Sequence, residues 1–128
     1  VEALEVLHLH KLVVTSPYPA EVDELEKAFF EKNGFSVFNI KGLGIKEGYK
    51  LAQVAPQEIY RLCVDAWDNR AEGLFISCMN FNPIPVIQAL ELSLQVPVVS
   101  SNSATLWKVL QIIGVKDPIH GFGRLLSN

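Results

Sequence analysis

The chain has 128 residues, of which 49% are hydrophobic and 20% charged, and its formal net charge is −3. This composition is that of one globular domain, and it excludes a disordered or fibrous protein, while the absence of a basic run argues against a nucleic-acid partner. Because no apolar run approaches the length of a membrane span and no signal peptide opens the chain, we expect a cytoplasmic protein without membrane contact.

A strand followed by a helix opens the predicted fold. Residues 11–15 form a short, β-branched apolar run, and the two prolines of residues 16–19 end it in a turn. The next residues carry acidic side chains in a first helical turn, and the helix stops at Gly34. We expect its acidic residues to form a solvated face. Its apolar stripe consists of Val22, Leu25 and Phe29.

A second strand and a second helix follow. The alternating pattern of residues 35–40 predicts a strand, and a connection with three glycines extends from residue 42 to residue 55. Pro56 is favoured as the first residue of a helix. A cysteine lies on the apolar face of this helix, where an unpaired cysteine is usually a packing residue. The inner face consists of Ile59, Leu62, Cys63 and Ala66.

Strands and helices continue to alternate in the second half of the chain. Residues 73–77 and 96–100 predict the third and fourth strands, and residues 84–94 predict a helix between them. Residues 101–103 are expected to cap a further helix, and residues 117–128 form a tail containing glycine. One face of this last helix is apolar, with Leu106, Trp107, Leu110 and Ile113.

The alternation of strands and helices indicates an α/β fold, a four-stranded parallel sheet with helices on both faces. Right-handed crossovers favour the strand order 2-1-3-4 in one lobe that spans residues 1–128. The winding reverses between strands 1 and 3, and such sheets bind ligands beyond the carboxyl ends of the strands at the reversal. The loops there are residues 16–19 and 78–83. Position therefore nominates Tyr18 and Cys78.

Cys78 is the strongest chemical candidate, because backbone N–H groups between a strand and a helix stabilise a thiolate. The alternative is a small core residue at a strand end. Tyr18 stands in a stiff turn between two prolines, and its alternative role is to cover the sheet edge. We expect no metal site, since His8 and His10 lack a third ligand. The glycines of residues 42–48 do not have the spacing of a dinucleotide loop.

Four stretches of the chain resemble the second half of the maleate cis-trans isomerase and arylmalonate decarboxylase family, which belongs to the aspartate/glutamate racemase superfamily. The resemblance implies one lobe of a two-lobe α/β fold, with a cleft between the lobes, and this chain corresponds to the second lobe. The stretches are VVTSPYPAEVDEL at residues 13–25, KGLGI at 41–45, GLFISCMNFNPIPVIQALELSLQVPVVSSNSATLW at 73–107 and GFGRLL at 121–126.

The resemblance implies roles for four residues. Cys78 matches a catalytic cysteine of the second lobe, and Tyr18 matches a tyrosine that binds a substrate carboxylate. The backbone N–H of Met79, with Asn80 beside it, matches an oxyanion-binding turn, where the family usually has a residue smaller than methionine. The implied chemistry is a small carboxylate substrate, an enediolate-like intermediate and no metal or organic cofactor.

Among the activities of the family, the resemblance favours a maleate isomerase-like enzyme in which Cys78 is the acid/base partner of a first-lobe cysteine. An arylmalonate-type decarboxylase, an amino-acid racemase-like enzyme and a non-catalytic carboxylate-binding half-domain are the alternatives. Because one lobe is missing, we expect little turnover by the chain alone, and either a homo-oligomer or a complex with a first lobe. Apolar residues of the tail should then lack cover: Phe122, Leu125 and Leu126.

Overall fold

A four-stranded parallel sheet with the strand order β2-β1-β3-β4 forms the centre of the computed structural model, which describes residues 1–127. The predicted fold class and strand order are confirmed. β1 ends one residue later than predicted, and β4 begins two residues later. The strands are β1 (Lys11–Ser16), β2 (Ser36–Gly42), β3 (Gly73–Ile76) and β4 (Val98–Ser100).

Six α-helices of the described chain cover the two faces of the sheet, and none of them is long and apolar enough to cross a membrane. One core lies between the sheet and α3 and α4, and a second core lies on the face that carries α1, α2, α5 and α6. The helices are α1 (Glu2–Val6), α2 (Ala20–Lys32), α3 (Pro56–Ala66), α4 (Ile84–Leu94), α5 (Ser101–Ile112) and α6 (Arg124–Ser127), and a short 3-10 helix occupies Gly48–Gln53.

The central strands show the alternation expected of a sheet buried on both faces. Val13 contributes to the core under α3 and α4, whereas its neighbours Leu12 and Val14 contribute to the other core. The inner face of α3 is buried as predicted, including Cys63. The regular periodicity of these segments therefore fixes which side chains face each core.

The rotation of α2 differs from the prediction, because its acidic residues are not uniformly solvated. Asp23 is buried and Glu26 is half-buried, and each accepts a hydrogen bond from a serine at the carboxyl end of the sheet. Phe30 is the apolar residue that α2 contributes to the core, where its ring packs edge-on against Phe35 and Phe75. The residues of the predicted stripe are largely exposed: Val22, Leu25 and Phe29.

The beginning of α5 also differs from the prediction by one residue. β4 runs directly into the helix, so Ser100 is the N-cap. Its hydroxyl accepts the N–H of Ser103 at 3.0 Å, and the hydroxyl of Ser103 accepts the N–H of Ser100 at 2.9 Å. Ser101 and Asn102 therefore belong to the first helical turn, where their side chains are free to contact other loops.

The C-terminal tail packs on its own lobe, so the expected lack of cover is wrong for two of its three apolar residues. The carboxylate of Glu91 in α4 holds the tail in place, because it accepts the N–H of Arg124 at 3.0 Å through both oxygens. Asn128, the last residue of the predicted tail, lies outside the described residues. The exposed fractions are 1% for Leu125, 6% for Leu126 and 42% for Phe122.

Candidate active site

Two loops meet at the carboxyl end of the sheet, and each carries one of the predicted site residues. Tyr18 follows β1 and Cys78 follows the neighbouring β3. The N–H of Ser77 donates to the carbonyl oxygen of Thr15 at 2.8 Å, so the two strands remain in register up to the loops. The Tyr18 side chain packs against the core cluster that contains Cys78. The structure therefore brings together the two residues that topology nominated.

Residues 17–19, which we call the Tyr18 loop, form backbone hydrogen bonds with the residues that directly follow β2. The N–H of Gly44 donates to the carbonyl oxygen of Tyr18 at 3.0 Å, and the N–H of Ile45 donates to that of Pro17 at 2.9 Å. Gly42 allows this close approach, because a Cβ at this position would collide with the Tyr18 carbonyl oxygen. The tyrosine ring is therefore presented by a loop with a fixed backbone.

Two carboxylates of α2 lie behind these loops, although the acidic residues of this helix were all predicted to be solvated. Asp23 accepts the Ser16 hydroxyl at 2.5 Å, and the Ser16 oxygen in turn accepts the N–H of Tyr18 at 3.1 Å. Glu26 accepts the hydroxyl of Ser77. Burial raises the pKa of both carboxyl groups, although the serine hydrogen bonds oppose that rise. The spacing of three residues, which places both side chains on one helix face just after the turn, was the available signal.

Cys78 adopts an unusual backbone conformation. Its φ angle is 101°, a left-handed region that residues other than glycine rarely occupy. Its N–H donates to Ser101 Oγ at 3.0 Å, and its carbonyl oxygen accepts the N–H of the fully buried Phe81 at 3.4 Å. Backbone strain of this kind persists where surrounding contacts impose it, and it is common at functional sites.

The residues that follow Cys78 project from the surface, and we call residues 78–80 the Cys78 turn. Met79 and Asn80 are exposed. Among residues 1–127, no group accepts a hydrogen bond from the backbone N–H of either residue. The two N–H groups therefore remain open to an anion at the edge of the sheet.

The surroundings of Tyr18 keep its hydroxyl protonated. Its pKa is raised above the ordinary tyrosine value, first by burial, then by the nearby Cys78 thiol, and also by the charges of Glu26 and Asp23. At neutral pH the hydroxyl is consequently a hydrogen-bond donor, as the binding of a carboxylate requires.

Cys63 and Cys78 belong to the same core, but Cys63 is the more deeply buried of the two, and its predicted place on the packing face of α3 is confirmed. Its side chain is fully buried, and its sulfur lies 3.3 Å from the Thr15 hydroxyl oxygen. Burial raises the pKa of the Cys63 thiol to about 12. In the part of the chain that the structure describes, no group of three or more His, Cys, Asp or Glu residues is arranged to hold a metal ion.

Comparison with known proteins gives consistent family matches. The model of the arylmalonate decarboxylase family matches residues 1–126. The chain is 28% identical over 127 residues to the arylmalonate decarboxylase of Bordetella bronchiseptica and covers 53% of it. It is 23% identical over 127 residues to the maleate isomerase of Nocardia farcinica and covers 51% of it. These matches include 97% and 98% of this chain, which spans about half the length of the curated relatives.

Solved structures share the fold of this chain. A crystal structure of arylmalonate decarboxylase gives a TM-score of 0.89 at 27% identity, with 98% of this chain and 56% of that chain covered. A maleate isomerase of Pseudomonas putida gives 0.95 at 21% identity, with 99% and 52% covered. A cysteine-to-serine variant of the Nocardia farcinica maleate cis-trans isomerase, which carries a covalently bound succinylcysteine intermediate, gives 0.95 at 19%, with 98% and 52% covered. Because the family model extends over almost the whole sequence, the chain belongs to the arylmalonate decarboxylase family.

Proposed function

We propose that this chain supplies one half of the active site of a cofactor-independent enzyme that acts on small carboxylates, most like a maleate cis-trans isomerase. The observation that carries the proposal is that Tyr18, Cys78 and the open N–H groups of Met79 and Asn80 lie together at the carboxyl ends of two neighbouring strands. A thiol that can exchange a proton or attack carbon then adjoins three donors for a carboxylate.

The three donors suit the most difficult species of this chemistry. Removal of a proton or a carboxyl group next to a carboxylate produces an enediolate, which carries an additional negative charge. A preorganised donor stabilises such an oxyanion by about 3–4 kcal/mol. The protonated Tyr18 hydroxyl and the N–H groups of the Cys78 turn are the groups that would supply this stabilisation here.

In the isomerase scheme, a thiolate of the other lobe forms a C–S bond with one alkene carbon of maleate. The π bond breaks, and its electron pair passes to the neighbouring carbon and carboxylate as an enediolate. Cys78 gives its proton to that carbon, and the resulting single bond rotates. Cys78 then removes a proton from the same carbon, the double bond re-forms and the C–S bond breaks. The succinylcysteine intermediate of the Nocardia farcinica relative supports a sequence of this type.

Decarboxylation is the second candidate, because the family model and a relative that is 28% identical are arylmalonate decarboxylases. In this scheme the bond between the α-carbon and one carboxyl group breaks, carbon dioxide leaves, and the electron pair forms the enediolate. Cys78 then protonates the α-carbon. This reaction requires one cysteine, whereas isomerisation requires a second cysteine from the other lobe.

Product analysis in heavy water tests the proposal and separates the two schemes. Maleate should give fumarate in the first scheme, whereas phenylmalonate should give phenylacetate with deuterium on the α-carbon in the second. We expect at most slow turnover by this chain alone, and rates of about 10 s⁻¹ when the product of the whole gene is assayed.

Cys78→Ser should abolish either reaction, whereas Cys63→Ser is the matched control that should retain it. If the product of the whole gene transforms neither substrate, an enzyme of either type is contradicted. Binding of the dicarboxylates without turnover would instead support a carboxylate-binding module.

A further inference from the structure

The start of α5 lies against the Cys78 turn. Its first residue, Ser101, accepts the N–H of Cys78 at 3.0 Å through Oγ. Its second residue, Asn102, donates from Nδ2 to the carbonyl oxygen of Met79 at 3.1 Å. The capping box formed by Ser100 and Ser103 fixes this helix end. Ser101 and Asn102, which lie in the first turn of a capped helix, therefore form hydrogen bonds with the first and the last peptide groups of the Cys78 turn.

The contact made by Asn102 determines where the N–H of Asn80 points. The carbonyl oxygen of Met79 and the N–H of Asn80 belong to one planar peptide group, in which they point in opposite directions when the bond is trans. The structure contains no cis peptide bond within residues 1–127. A Met79 carbonyl held towards α5 therefore directs the N–H of Asn80 away from α5, where no residue of the described chain accepts it.

The side-chain amide of Asn102 uses its donor but not its acceptor, which is unusual for a buried amide whose role is only structural. Its Oδ1 is buried and has no partner within residues 1–127. Buried side-chain amides normally use both their donor and their acceptor, because an unpaired buried polar atom reduces stability. The amide of Asn102 is thus oriented for its single contact with Met79.

We propose that Asn102 is a positioning residue of the carboxylate site, which holds the Met79 carbonyl so that the Asn80 N–H faces the substrate anion. This inference rests on the proposed function of the Cys78 turn. Thr105 supports the same arrangement, because its hydroxyl donates to the carbonyl oxygen of Ser101 at 2.8 Å and contacts the sulfur of Met79 at 3.6 Å.

Amide NMR spectra of the chain, recorded with and without malonate, test the inference on the variant Asn102→Ala. Without ligand, the resonance of the Asn80 amide should move from its wild-type position. The affinity for malonate that this resonance reports should fall about tenfold, which corresponds to about 1.4 kcal/mol. Asn33→Ala is the matched control, since Asn33 also donates from Nδ2 to a backbone carbonyl oxygen, at 2.8 Å, but at the opposite end of α2. It should change neither measurement.

A second variant distinguishes the loss of the contact with Met79 from a loss of folding. Asn102→Asp preserves the size of the side chain, and its negative charge in the first turn of α5 favours the helix. Its carboxylate cannot donate to Met79, so the ligand-free Asn80 resonance should again move. If this resonance stays in place in both variants, the inference is overturned even if malonate binds.

A different NMR result would contradict the proposed function of the Cys78 turn. If malonate moves no resonance of the Cys78 turn in the wild-type chain, the turn is not a carboxylate site. A displaced Asn80 resonance in the two Asn102 variants would still support the positioning of that N–H by Asn102.

Discussion

The two cysteines differ in the properties that govern thiol reactivity. Both cysteines belong to the core under α3 and α4, but Cys63 is fully buried with a pKa raised to about 12, whereas Cys78 is 7% exposed and lies in a strained turn at the sheet edge. A pKa of about 12 leaves roughly a thousandth of the thiolate that an ordinary cysteine has at neutral pH. We therefore expect iodoacetamide to label Cys78 well before Cys63 in the folded protein, as measured by mass spectrometry of the peptides.

The variants Cys63→Ser and Cys78→Ser identify the labelled thiol in this experiment. The first should keep the fast phase of alkylation and the second should lose it. Equal labelling of both cysteines in the folded chain, or faster labelling of Cys63, would contradict the assignment. Unfolding in urea should remove the difference, because both thiols are then exposed to solvent.

Tyr18→Phe removes a hydroxyl and leaves the ring that covers the sheet edge. If the hydroxyl donates to a substrate carboxylate, its loss should weaken malonate binding by about 1–3 kcal/mol, the range for a hydrogen bond to a charged group. Isothermal titration calorimetry measures this change. Tyr60→Phe is a suitable control, because the Tyr60 hydroxyl contacts Ser93 between α3 and α4. Equal affinities of Tyr18→Phe and the parent chain would remove Tyr18 from the site.

The half-buried carboxyl of Glu26 gives stability a pH dependence of known sign. Its pKa is raised above the ordinary glutamate value, so the folded state holds the proton more tightly than the unfolded state. As the pH rises from the ordinary value through the raised one, ionisation destabilises the fold. Glu26→Gln removes that ionisation. Urea unfolding should therefore show the variant gaining stability relative to the parent chain as the pH rises above the ordinary glutamate pKa.

Glu21→Gln is the control for this measurement, since Glu21 is an exposed residue of the same helix. Its stability difference from the parent chain should stay nearly constant with pH. A Glu26→Gln variant that loses relative stability as the pH rises would show that the ionised carboxylate stabilises the fold.

At the scale of elements, the junction between β2 and the Tyr18 loop depends on the absence of a side chain. A Cβ at Gly42 would collide with the Tyr18 carbonyl oxygen and the Asp23 carboxylate. Gly42→Ala should therefore lower the free energy of unfolding by about 1–3 kcal/mol, as overpacking commonly does, and displace Tyr18. Thermal unfolding and malonate titration measure the two effects.

Gly48→Ala provides the comparison, because a Cβ at Gly48 meets no atom within 4 Å. It should leave malonate binding unchanged. If Gly42→Ala were as stable as Gly48→Ala and bound malonate equally well, the fixed approach of the Tyr18 loop to β2 would not matter for the site.

At the scale of the whole molecule, α2 presents an apolar surface that its own lobe does not cover. Leu25 is 72% exposed, and with Phe29 it borders an open groove of about 360 Å³. Exposed apolar patches of this kind commonly drive association. We predict that the chain alone forms a dimer through this surface, and sedimentation velocity measures it. The groove is lined by Val1, Val22, Leu25, Glu26, Phe29, Phe30, Phe75, Ser77 and Ser101.

Leu25→Glu should shift the dimer towards monomer, whereas Leu92→Glu should not, because Leu92 is an exposed leucine of α4 on the opposite face of the sheet. A chain that sediments as a monomer at all concentrations would contradict the prediction. If the product of the whole gene buries the α2 surface against a preceding lobe, Leu25→Glu should destabilise that product.

Local patterns were sufficient for much of this fold. Pro56 and the apolar period that follows it predicted α3, and α4 was predicted with its observed bounds of Ile84–Leu94. The strand order followed from the handedness of crossovers, and that order placed Tyr18 and Cys78 at the same edge of the sheet. The family was also recognisable from the sequence, because the stretches that resemble it occur at the predicted strand ends in the order that the family has.

The tertiary structure alone decided which polar side chains support those two residues. Asp23 and Glu26 turn inward because serine hydroxyls at two strand ends donate hydrogen bonds to their carboxylates, and Asn102 reaches Met79 across 23 positions of sequence. Periodicity and backbone sterics act over a few residues, so they determine helices, strands and crossovers. Hydrogen bonds between a helix side chain and a strand end depend instead on how each helix is rotated on the sheet, which only the packing of the whole lobe fixes.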